Sequence, residues 1–514
     1  MGMLIFLLAL ALLWTSCRVL NWVWLRPKRV ERFLRRQGLS GSSYKFLSGD
    51  IKESMKMLTG TTSRPIGLYD DILPRVFPFE HQILNSYGKD SFWWTGTSPR
   101  VFLMHPEQLK DIFSKIYDFQ KLNSPLGKLL VRGVVTYDGD KWAMHRKIIN
   151  PAFHIEKLKL MLPAFHSTCM EMVTGWEKLM GAQESIELDV WTDLQSLTRD
   201  VISRTAFGSS YKEGRRLFDL QIELTDLLGK SRQKVYIPGW RFIPTKTNRR
   251  MKAIHYEVQS LVREMIEKRQ KAMKAGKPAS DDLLGLMLES NTREIRENHG
   301  KKNGKVGMSI QDVIEECRLF YLAGQETTSS LLAWAMVLLS IHPQWQDRAR
   351  EEVLQVFGRD QLPGFDGLNH LKIIMMILYE VLRLYPPVPL MSRTVHKTTK
   401  LGKLDIPAGT QLQLPVIFIH HDKGLWGEDA KEFKPERFSE GISKATGNQI
   451  VFFPFGWGPR ICVGQNFALI EVKMAMAMIL QRFAFELSPS YAHAPILTIS
   501  LQPQHGVQVI LRRC

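Results

Sequence analysis

The sequence lacks the features that mark disulfide-rich, zinc-binding and fibrous proteins. Only five of its 514 residues are cysteines, namely Cys17, Cys169, Cys317, Cys462 and Cys514. Because their number is odd and none lies close to another, we expect neither a disulfide framework nor a zinc site, and a reducing compartment fits best. No internal repeat or low-complexity tract is present, which excludes solenoid and fibrous folds.

Acidic residues are scarce relative to basic ones. The chain has 69 lysines and arginines against 51 acids, a formal net charge of +18. Such a charge first points to nucleic acid. However, the basic residues are scattered, and no zinc-finger spacing or aromatic RNA-binding signature accompanies them, so we expect no nucleic acid. Anionic membrane surfaces or an acidic protein partner fit the charge better.

The N-terminal segment is long and apolar enough to cross a bilayer. Residues Met3 to Trp14 are almost wholly apolar, and apolar residues resume from Val19 to Leu25. Arg18 between them would reach the interface with its long side chain. No basic residue precedes this run, whereas six follow it between positions 26 and 36. Since the basic n-region and cleavage site of a signal peptide are missing, we predict an uncleaved anchor at residues 1–25, a basic linker at 26–45 and a cytosolic domain at 46–514.

A very long apolar segment near the middle of the chain predicts a central helix. Ser309 precedes it, and Asp312 three residues on is placed to complete a capping box. The segment runs to His342, where Pro343 ends it. At 1.5 Å per residue such a helix is roughly 50 Å long, enough to cross a whole domain.

Elsewhere the periodicity is mainly helical, with a small β portion. No linker rich in proline, glycine or serine divides the main domain. We predict a hairpin from residues 92–95 and 101–104 around Gly96 and Pro99, helices over 158–180 and 251–273, a polar surface loop over 296–307, and a last hairpin from residues 497–501 and 507–511 around His505 and Gly506.

The segment Phe455–Gly464, with the sequence FGWGPRICVG, is the most informative in the chain. Gly456 and Gly458 allow a tight turn that a residue with a Cβ would resist. Gly464 leaves room for a flat macrocycle to lie close to the backbone. Arg460 is placed to pair with a carboxylate of such a cofactor.

Cys462 lies within this segment, just before the apolar, helix-forming run Phe467–Leu480. Backbone N–H groups at a helix N-terminus can bond sulfur and lower its pKa, which makes thiolate available as a metal ligand. A lone cysteine is more often a small buried hydrophobic residue. Here the complete pattern F-x-x-G-x-R-x-C-x-G outweighs that interpretation, because the pattern is highly specific.

The stretch Ala323–Thr328 (AGQETT) places residues of poor helix propensity in the middle of the predicted central helix. The Thr327 hydroxyl is placed to bond the carbonyl of Ala323, which would open the helix locally and form a notch. The alternative is a tolerated glycine among ordinary polar residues of a helix surface. We expect Thr328, one residue further round, to point elsewhere.

The Cys462 segment resembles the haem-binding loop of the cytochromes P-450. Glu326-Thr327 resembles the acid–threonine pair of that family, with glutamate where many members have aspartate. The resemblance implies that the notch at Thr327 lies beside the iron and could hold dioxygen, with Thr327 and Glu326 relaying protons. The stretches WLRPKR at residues 24–29 and VYIPGW at residues 235–240 look like the plant "seventy-two" family, the group that includes secologanin synthase. The resemblance covers essentially the whole chain, although the proline-rich hinge that many microsomal members carry after the anchor is reduced here to Pro27. It implies a mainly α cytochrome P-450 fold with a long central helix and small β-sheets, preceded by one N-terminal transmembrane helix.

The same resemblance implies roles for individual residues. Cys462 is expected to be the iron ligand, and Thr327 and Glu326 to be catalytic. Residues expected to bind the cofactor are Trp142, Arg146, Arg393, Phe455, Arg460 and Gly464, the first two in a W-x-x-x-R pattern whose spacing puts both on one helix face. Residues expected to support the fold behind the thiolate are Glu380, Arg383 and Arg437. Residues expected to face substrate are Phe320, Ala323, Val388, Leu390 and Met391.

The resemblance also implies a reaction. The haem-binding catalytic domain at residues 46–514 would insert one atom of dioxygen into a C–H bond of an apolar small molecule, with haem b as cofactor. The related plant family points to a terpenoid of the triterpenoid, iridoid or gibberellin type. Two alternatives stay open here, a haem-thiolate isomerase or lyase and a haem-binding sensor or electron-transfer protein.

The source of electrons and the location follow from other parts of the chain. Neither a G-x-G-x-x-G loop nor a P-loop is present. We therefore expect the electrons of NADPH to arrive through a separate flavoprotein, the NADPH–cytochrome P-450 reductase. The predicted anchor implies a single-pass protein of the endoplasmic reticulum membrane, in contact with lipid, whose catalytic domain faces the cytosol.

Overall fold

A computed structural model describes residues 2–122, 127–208, 211–232, 240, 243–275, 282–297 and 307–514. Within these ranges there are 21 α-helices and 13 β-strands. The helices are α1 Gly2–Leu20, α2 Arg26–Arg36, α3 Ile51–Thr62, α4 Leu73–Val76, α5 Pro78–Tyr87, α6 Pro106–Ser114, α7 Gly127–Leu130, α8 Gly139–Ile149, α9 Ile155–Met180, α10 Val190–Phe207, α11 Tyr211–Arg232, α12 Lys246–Lys274, α13 Leu283–Glu297, α14 Ile310–Ile341, α15 Pro343–Phe357, α16 Phe365–His370, α17 Lys372–Leu384, α18 Val416–His420, α19 Lys423–Trp426, α20 Ile442–Ala445 and α21 Gln465–Leu480. The strands are β1 Ser40–Gly41, β2 Ser91–Thr95, β3 Ser98–Phe102, β4 Gln120–Lys121, β5 Ser185–Asp189, β6 Met391–Thr394, β7 Thr399–Leu401, β8 Leu404–Ile406, β9 Gln411–Leu414, β10 Phe483–Leu487, β11 Pro495–Leu497, β12 Leu501–Pro503 and β13 Gln508–Arg513.

The N-terminal apolar segment forms helix α1, which buries none of its side chains. It continues through one π-helical turn, Asn21–Leu25, into α2. Among the described residues, the continuous helix from Gly2 to Arg36 is the one element long and apolar enough to cross a membrane. A long, exposed helix whose side chains are mostly apolar from Gly2 to Leu20 fits a single-pass anchor.

Residues 26–45, which we expected to form a basic linker, are folded against the main body. Arg26 donates to the carbonyl oxygen of Ala408 at 2.8 Å, and Tyr44 Oη donates to the carbonyl oxygen of Val23 at 2.5 Å. Strand β1 adds to the large sheet beside β2. One face of α2 is buried through Pro27, Glu31 and Leu34, so a segment whose composition is that of a linker forms an amphipathic helix packed on the body.

Helix α14 runs through the centre of the body and is buried over most of its length. Ser309 Oγ accepts from the backbone N–H of Asp312, and the Asp312 carboxylate accepts from Ser309, which confirms the predicted capping box. The helix ends at Ile341, before Pro343. It packs most extensively against α10, and also against α12, α17 and α21. Because these helices surround α14, its position in the core is fixed.

The β portion is small and lies in four separate sheets, which confirms the expected architecture for the described residues. The largest sheet has the order β1-β2-β3-β9-β6-β4, and a second has the order β10-β13-β5. The predicted hairpin of residues 92–95 and 101–104 is present as β2 and β3, with Pro99 inside the second strand opposite Trp94.

The predicted last hairpin is wrong. Strand β12 pairs with β11, whereas β13 pairs with β10 and β5. The alternating pattern identified the buried residues correctly, because Val509 and Leu511 are fully buried. However, alternation shows which face of a strand is covered and not which strand lies beside it.

Of the remaining predicted elements, two helices are confirmed and one loop begins later than predicted. The helices expected over 158–180 and 251–273 are confirmed as parts of α9 and α12. The first residues of the surface loop expected over 296–307 belong instead to α13, which ends at Glu297. Residues 298–306 of that loop, and residues 235–239 of the VYIPGW stretch, lie outside the described residues.

Candidate active site

The segment Phe455–Gly464 forms a tight loop that leads into α21. The backbone N–H of Cys462 donates to the carbonyl oxygen of Phe455 at 2.8 Å. Gly458 has φ of +71°, and a Cβ there would lie 3.0 Å from the carbonyl oxygen of Phe113, so glycine is required for both its conformation and its close packing. A Cβ on Gly464 would lie 4.0 Å from the Cys462 sulfur. The space beside the sulfur is therefore kept open by the sequence.

Cys462 opens onto a cavity between this loop and α14. Burial in the fold raises the pKa of its thiol, while the backbone N–H of Gly464 and the charges of Arg146 and Lys121 act to lower it. A sulfur that accepts from backbone N–H at the start of a helix and faces cations is suited to bind a metal as thiolate.

Four cationic side chains line the cavity near Cys462, namely Lys121, Arg146, Arg393 and Arg460. The pKa of Lys121 is lowered well below its usual value, first by burial and then by repulsion from Arg393 and Arg460. The pKa of Arg393 is lowered to about 10, first by burial and then by repulsion from Arg460. Buried cations that repel one another in this way are stabilised by a bound anion.

Arg460 and Arg146 have hydrogen-bond partners in the protein, but one N–H group of Arg460 has none among the described residues. Arg460 donates to Asp138 at 2.6 Å and lies 4.6 Å from the centroid of the Trp142 ring. Arg146 donates to the carbonyl oxygen of Ile461 at 2.8 Å. Nε of Arg460, however, is buried without a hydrogen-bond partner among the described residues. The carboxylate of Asp138 is therefore the nearby anion for Arg460, Lys121 and Arg393 together.

These residues fit haem b. Its two carboxylates would supply anionic partners for the cations that Asp138 alone does not neutralise. Across the described ranges, no group of three or more histidine, cysteine or acidic side chains could hold a metal ion. Cys462 is thus a single protein donor, which suits an iron whose other ligands come from a macrocycle. A Cβ on Gly464 would occupy space next to the Cys462 sulfur, so glycine leaves that space free for a flat group.

The middle of α14 forms another wall of the cavity. Thr327 lines it, and Thr327 Oγ1 donates to the carbonyl oxygen of Ala323 at 2.8 Å, as expected. The helix nevertheless remains continuous here, so the expected local opening is not seen. A Cβ on Gly324 would lie 2.8 Å from Cδ1 of Ile202. Gly324 therefore allows α10 to pack closely on α14.

The expectation that Thr328 points elsewhere is wrong, because Thr328 also lines the cavity. Two consecutive residues of a helix are separated by about 100°, and the cavity covers an arc of α14 wide enough to include both. Thr327 is distinguished from Thr328 by its bond to the Ala323 carbonyl.

Glu326 is buried but does not line the cavity as the structure describes it. Its Oε2 accepts from Ser500 Oγ at 3.4 Å, and the hydroxyls of Ser500 and Ser330 are 2.8 Å apart. Burial raises the pKa of Glu326, while the charge of Arg199 acts to lower it. The structure therefore brings Thr327 to the cavity and directs the Glu326 carboxylate to the far side of the helix.

The rest of the cavity wall is apolar. Of the residues expected to face substrate, Phe320, Ala323, Val388 and Met391 line it. Leu390 does not and packs instead against the hydrophobic core. Neighbouring residues of an extended segment point to opposite sides, so Met391 and Leu390 cannot both face the cavity. Lining residues that the sequence did not reveal include Val134, Val135, Phe153, Ile202, Leu319, Leu331, Leu382 and Phe467.

Glu380 and Arg383 form a fully buried, two-point ion pair on α17, with distances of 2.8 and 2.7 Å. Arg383 also donates to the carbonyl oxygen of His420 at 2.8 Å. Arg437 approaches Glu380 at 3.4 Å and pairs with Asp429 at 2.7 Å. These contacts tie α17 to the segment that precedes the cysteine loop.

Two residues that the sequence did not single out belong to this arrangement. His420 accepts from the backbone N–H of Phe453 at 3.3 Å and faces the carbonyl oxygen of Arg383 at 3.2 Å, so it joins the ion pair to the start of the loop. Lys121 adds a cation to the cavity. Neither stands in a recognisable motif. A short β-strand that ends in lysine and a histidine in an apolar stretch are both common.

Comparisons with known proteins agree with this geometry. The family model "Cytochrome P450" matches residues 77–511. Cytochrome P450 72A397 of Kalopanax septemlobus is 58% identical over 497 residues, covering 96% of this chain and 95% of that protein. Cytochrome P450 CYP72A219 of Panax ginseng is 56% identical over 496 residues, with coverage of 96% and 95%. Cytochrome P450 72A15 of Arabidopsis thaliana is 55% identical over 502 residues, with coverage of 97% and 96%.

The cysteine loop, the cationic cluster and the family match together define a haem-thiolate enzyme, a monooxygenase of the cytochrome P-450 class. The chain belongs to the cytochrome P-450 family, and within it to the plant seventy-two family that its 72A relatives represent.

Proposed function

We propose that this monooxygenase hydroxylates or further oxidises a plant terpenoid of the triterpenoid, iridoid or gibberellin type. The observation that carries the proposal is the wall of the cavity beyond the cationic cluster. Phe320, Leu319, Leu331, Val388 and Phe467 face it with apolar side chains. A largely hydrocarbon skeleton would lose unfavourable contact with water there.

The cavity residues are proposed to divide the work of holding cofactor and substrate. Cys462 would bind haem iron, while Trp142, Arg146, Arg393 and Arg460 would hold the haem carboxylates, with Phe455 and Gly464 against the ring. When bound, haem supplies the activation of dioxygen with two electrons and the transfer of one oxygen atom to carbon. The apolar wall would orient one C–H bond towards it and exclude water.

Thr327 and Glu326 are proposed to handle protons. The Thr327 hydroxyl faces the cavity and would hold a water or donate its proton there, since it can pass hydrogen bonds in both directions. Glu326 lies behind it, and its raised pKa brings the carboxyl closer to the range in which it can give up a proton at neutral pH. Its side chain would have to rotate away from Ser500 to serve the cavity.

Electrons are proposed to come from NADPH through a separate flavoprotein, the NADPH–cytochrome P-450 reductase. The net charge of +18 suits an acidic partner. The helix Gly2–Arg36 is proposed to anchor the chain in the endoplasmic reticulum membrane, with the catalytic domain in the cytosol, because its basic residues follow the apolar run. Protection of the catalytic domain from protease in sealed microsomes would contradict this orientation.

The test is a screen of triterpenoids, iridoids and gibberellins with microsomes that contain the protein and a plant reductase. Each compound is titrated for a change in the haem absorption spectrum, and products are identified by mass spectrometry with and without NADPH. We expect at least one class to give both a spectral change and a product heavier by one oxygen. Product formed without NADPH would favour an isomerase or lyase, and spectral binding without any product would favour a sensor. Phe320→Ala should change the dissociation constants of the compounds that bind. Leu390→Ala serves as the control, because Leu390 is next to Met391 in the sequence but lies outside the cavity.

A further inference from the structure

A buried histidine–glutamate pair connects α8 to α14 and takes no part in the proposed chemistry. Nδ1 of His145 lies 2.6 Å from Oε1 of Glu316, and both side chains are fully buried. Nε2 of His145 is 3.8 Å from Oδ1 of Asp312, which pairs with Lys141 at the surface. A polar pair in the core stabilises a fold no better than apolar residues of the same size do. Its position therefore calls for another explanation.

The second oxygen of Glu316 holds a different segment. The backbone N–H of Val134 donates to Oε2 of Glu316 at 3.1 Å. Gly133 has φ of +98°, and a Cβ there would lie 2.6 Å from the same oxygen. Glycine at this position thus lets the carboxylate approach the backbone. One side chain fixes both α8 and the segment that contains Val134.

Each of the elements joined by Glu316 borders the cavity. Helix α8 carries Trp142 and Arg146, which lie on either side of His145 in the sequence and line the cavity. The segment held by the other oxygen places Val134 and Val135 in the apolar wall. Helix α14 itself contributes Phe320, one turn after Glu316. A displacement of this carboxylate would therefore move groups on two sides of the site.

We propose that His145 and Glu316 are positioning residues. Through α14 they fix the position of the cofactor-facing helix α8 relative to the substrate-facing segment Val134–Val135. The inference rests on the proposed haem site. Neither residue touches the cavity, so both act through the residues they hold. A hydrogen-bonded pair suits this purpose, because its hydrogen bonds fix direction and distance where apolar contacts allow sliding.

The test compares the holoenzyme with a double variant, His145→Phe with Glu316→Leu, which replaces both members of the pair by apolar side chains. The backbone N–H of Val134 loses its acceptor in this variant. Gly133→Ala is a second variant, since its Cβ displaces the carboxylate from the Val134 side only. Lys141→Gln is the matched control, because it breaks a partly exposed ion pair between the same two helices.

Two quantities are measured besides thermal stability. The rate of haem transfer to apomyoglobin reports on the cofactor side. The ratio of the dissociation constants of imidazole and the bulkier phenylimidazole, from absorbance titrations, reports on the substrate wall. We expect the double variant to lose haem about tenfold faster, as for other residues that orient metal-site groups from behind, and to change the ratio. Gly133→Ala should change mainly the ratio, and Lys141→Gln neither quantity.

The outcomes separate positioning from simple structural support. A double variant with lower melting temperature but unchanged haem loss and an unchanged ratio would overturn the proposal. In the double variant, a change in only one of the two quantities would overturn the claim that one pair holds both sides. If the double variant does not fold, Gly133→Ala decides, since an unchanged ratio there would also overturn the proposal. Absence of a haem-thiolate spectrum in the unmodified protein would instead refute the proposed site itself.

Discussion

Replacing Thr327 by alanine should separate oxygen consumption from product formation. The structural cost of the change is small. It removes one hydrogen bond, from Oγ1 to the carbonyl of Ala323, which is worth about 0.5–1.5 kcal/mol. Alanine has a higher helix propensity than threonine and offsets up to about 0.7 kcal/mol of that loss. The free energy of unfolding should therefore change by less than about 1 kcal/mol, and haem content should stay near that of the unmodified enzyme.

The functional cost should be much larger. A positioned proton donor contributes about 10²–10⁴-fold to the step that it serves, and a water in the space left by the hydroxyl recovers part of this. NADPH oxidation should continue, because electron transfer does not require the Thr327 hydroxyl. The product formed per NADPH should fall, and hydrogen peroxide should rise by a matching amount.

Product, peroxide and NADPH are measured together in the reconstituted system. Thr327→Ser, which keeps the hydroxyl, should restore most of the product. Ser329→Ala is the matched control, since Ser329 Oγ donates to the carbonyl oxygen of Gln325 at 2.9 Å in the same helix but away from the cavity. An unchanged ratio of product to NADPH in Thr327→Ala would refute the proton role. An equal loss in Ser329→Ala would show that helix distortion and not proton delivery is responsible.

Four further predictions concern the ligand, the anchor, the buried ion pair and the redox partner. Cys462→Ser should abolish the thiolate-specific absorption band of the reduced carbon-monoxide complex, and an unchanged band would refute the ligand assignment. Deletion of residues 2–20 should move part of the protein to the soluble fraction at unchanged melting temperature. Deletion of residues 2–25 should lower that temperature as well, because it removes the buried Val23 and its bond to Tyr44. Glu380→Gln should cost about 3–5 kcal/mol of folding free energy by leaving Arg383 buried without its counter-ion, measured by chemical unfolding. Raising salt should slow reduction by the reductase more than it slows later steps, since exposed charges are screened over about 8–10 Å, and rates flat in salt would contradict electrostatic steering.

Local signals in the sequence were sufficient for the elements that carry their own boundaries. The capping box of Ser309 and Asp312 and the proline at position 343 delimit α14, and the structure reproduces both ends. The glycines around Cys462 were sufficient for a tight loop because their backbone requirements are local. Strand pairing was not predictable in the same way, as β13 shows, because a partner strand far away in the sequence leaves no trace in the pattern of β13 itself.

The site was predictable where a motif exists and not where tertiary packing assembles it. Lys121 reaches the cavity only because β4 pairs with β6, which carries Arg393. Glu326 follows from a motif, yet the direction of its carboxylate depends on Ser500, which the chain brings back 174 residues later. Residues 26–45 resemble a linker in composition, and only the contacts of α2 and β1 show that they are folded.

The four residues Glu316, Phe320, Ala323 and Thr327 show why a single long helix organises this site. They are spaced by four, three and four positions, the spacing that keeps side chains on one face of an α-helix. On that face Glu316 is proposed to position neighbouring elements, and Thr327 is proposed to handle protons. Phe320 and Ala323 between them line the cavity. A shift of one residue in the packing of α14 would rotate all four by about 100°. Gly324 is the residue of α14 that faces Ile202 of α10, and a Cβ there would lie 2.8 Å from Cδ1 of Ile202. A rotation that brought a larger side chain to this position would therefore crowd α10, so we expect the close packing at Gly324 to oppose it.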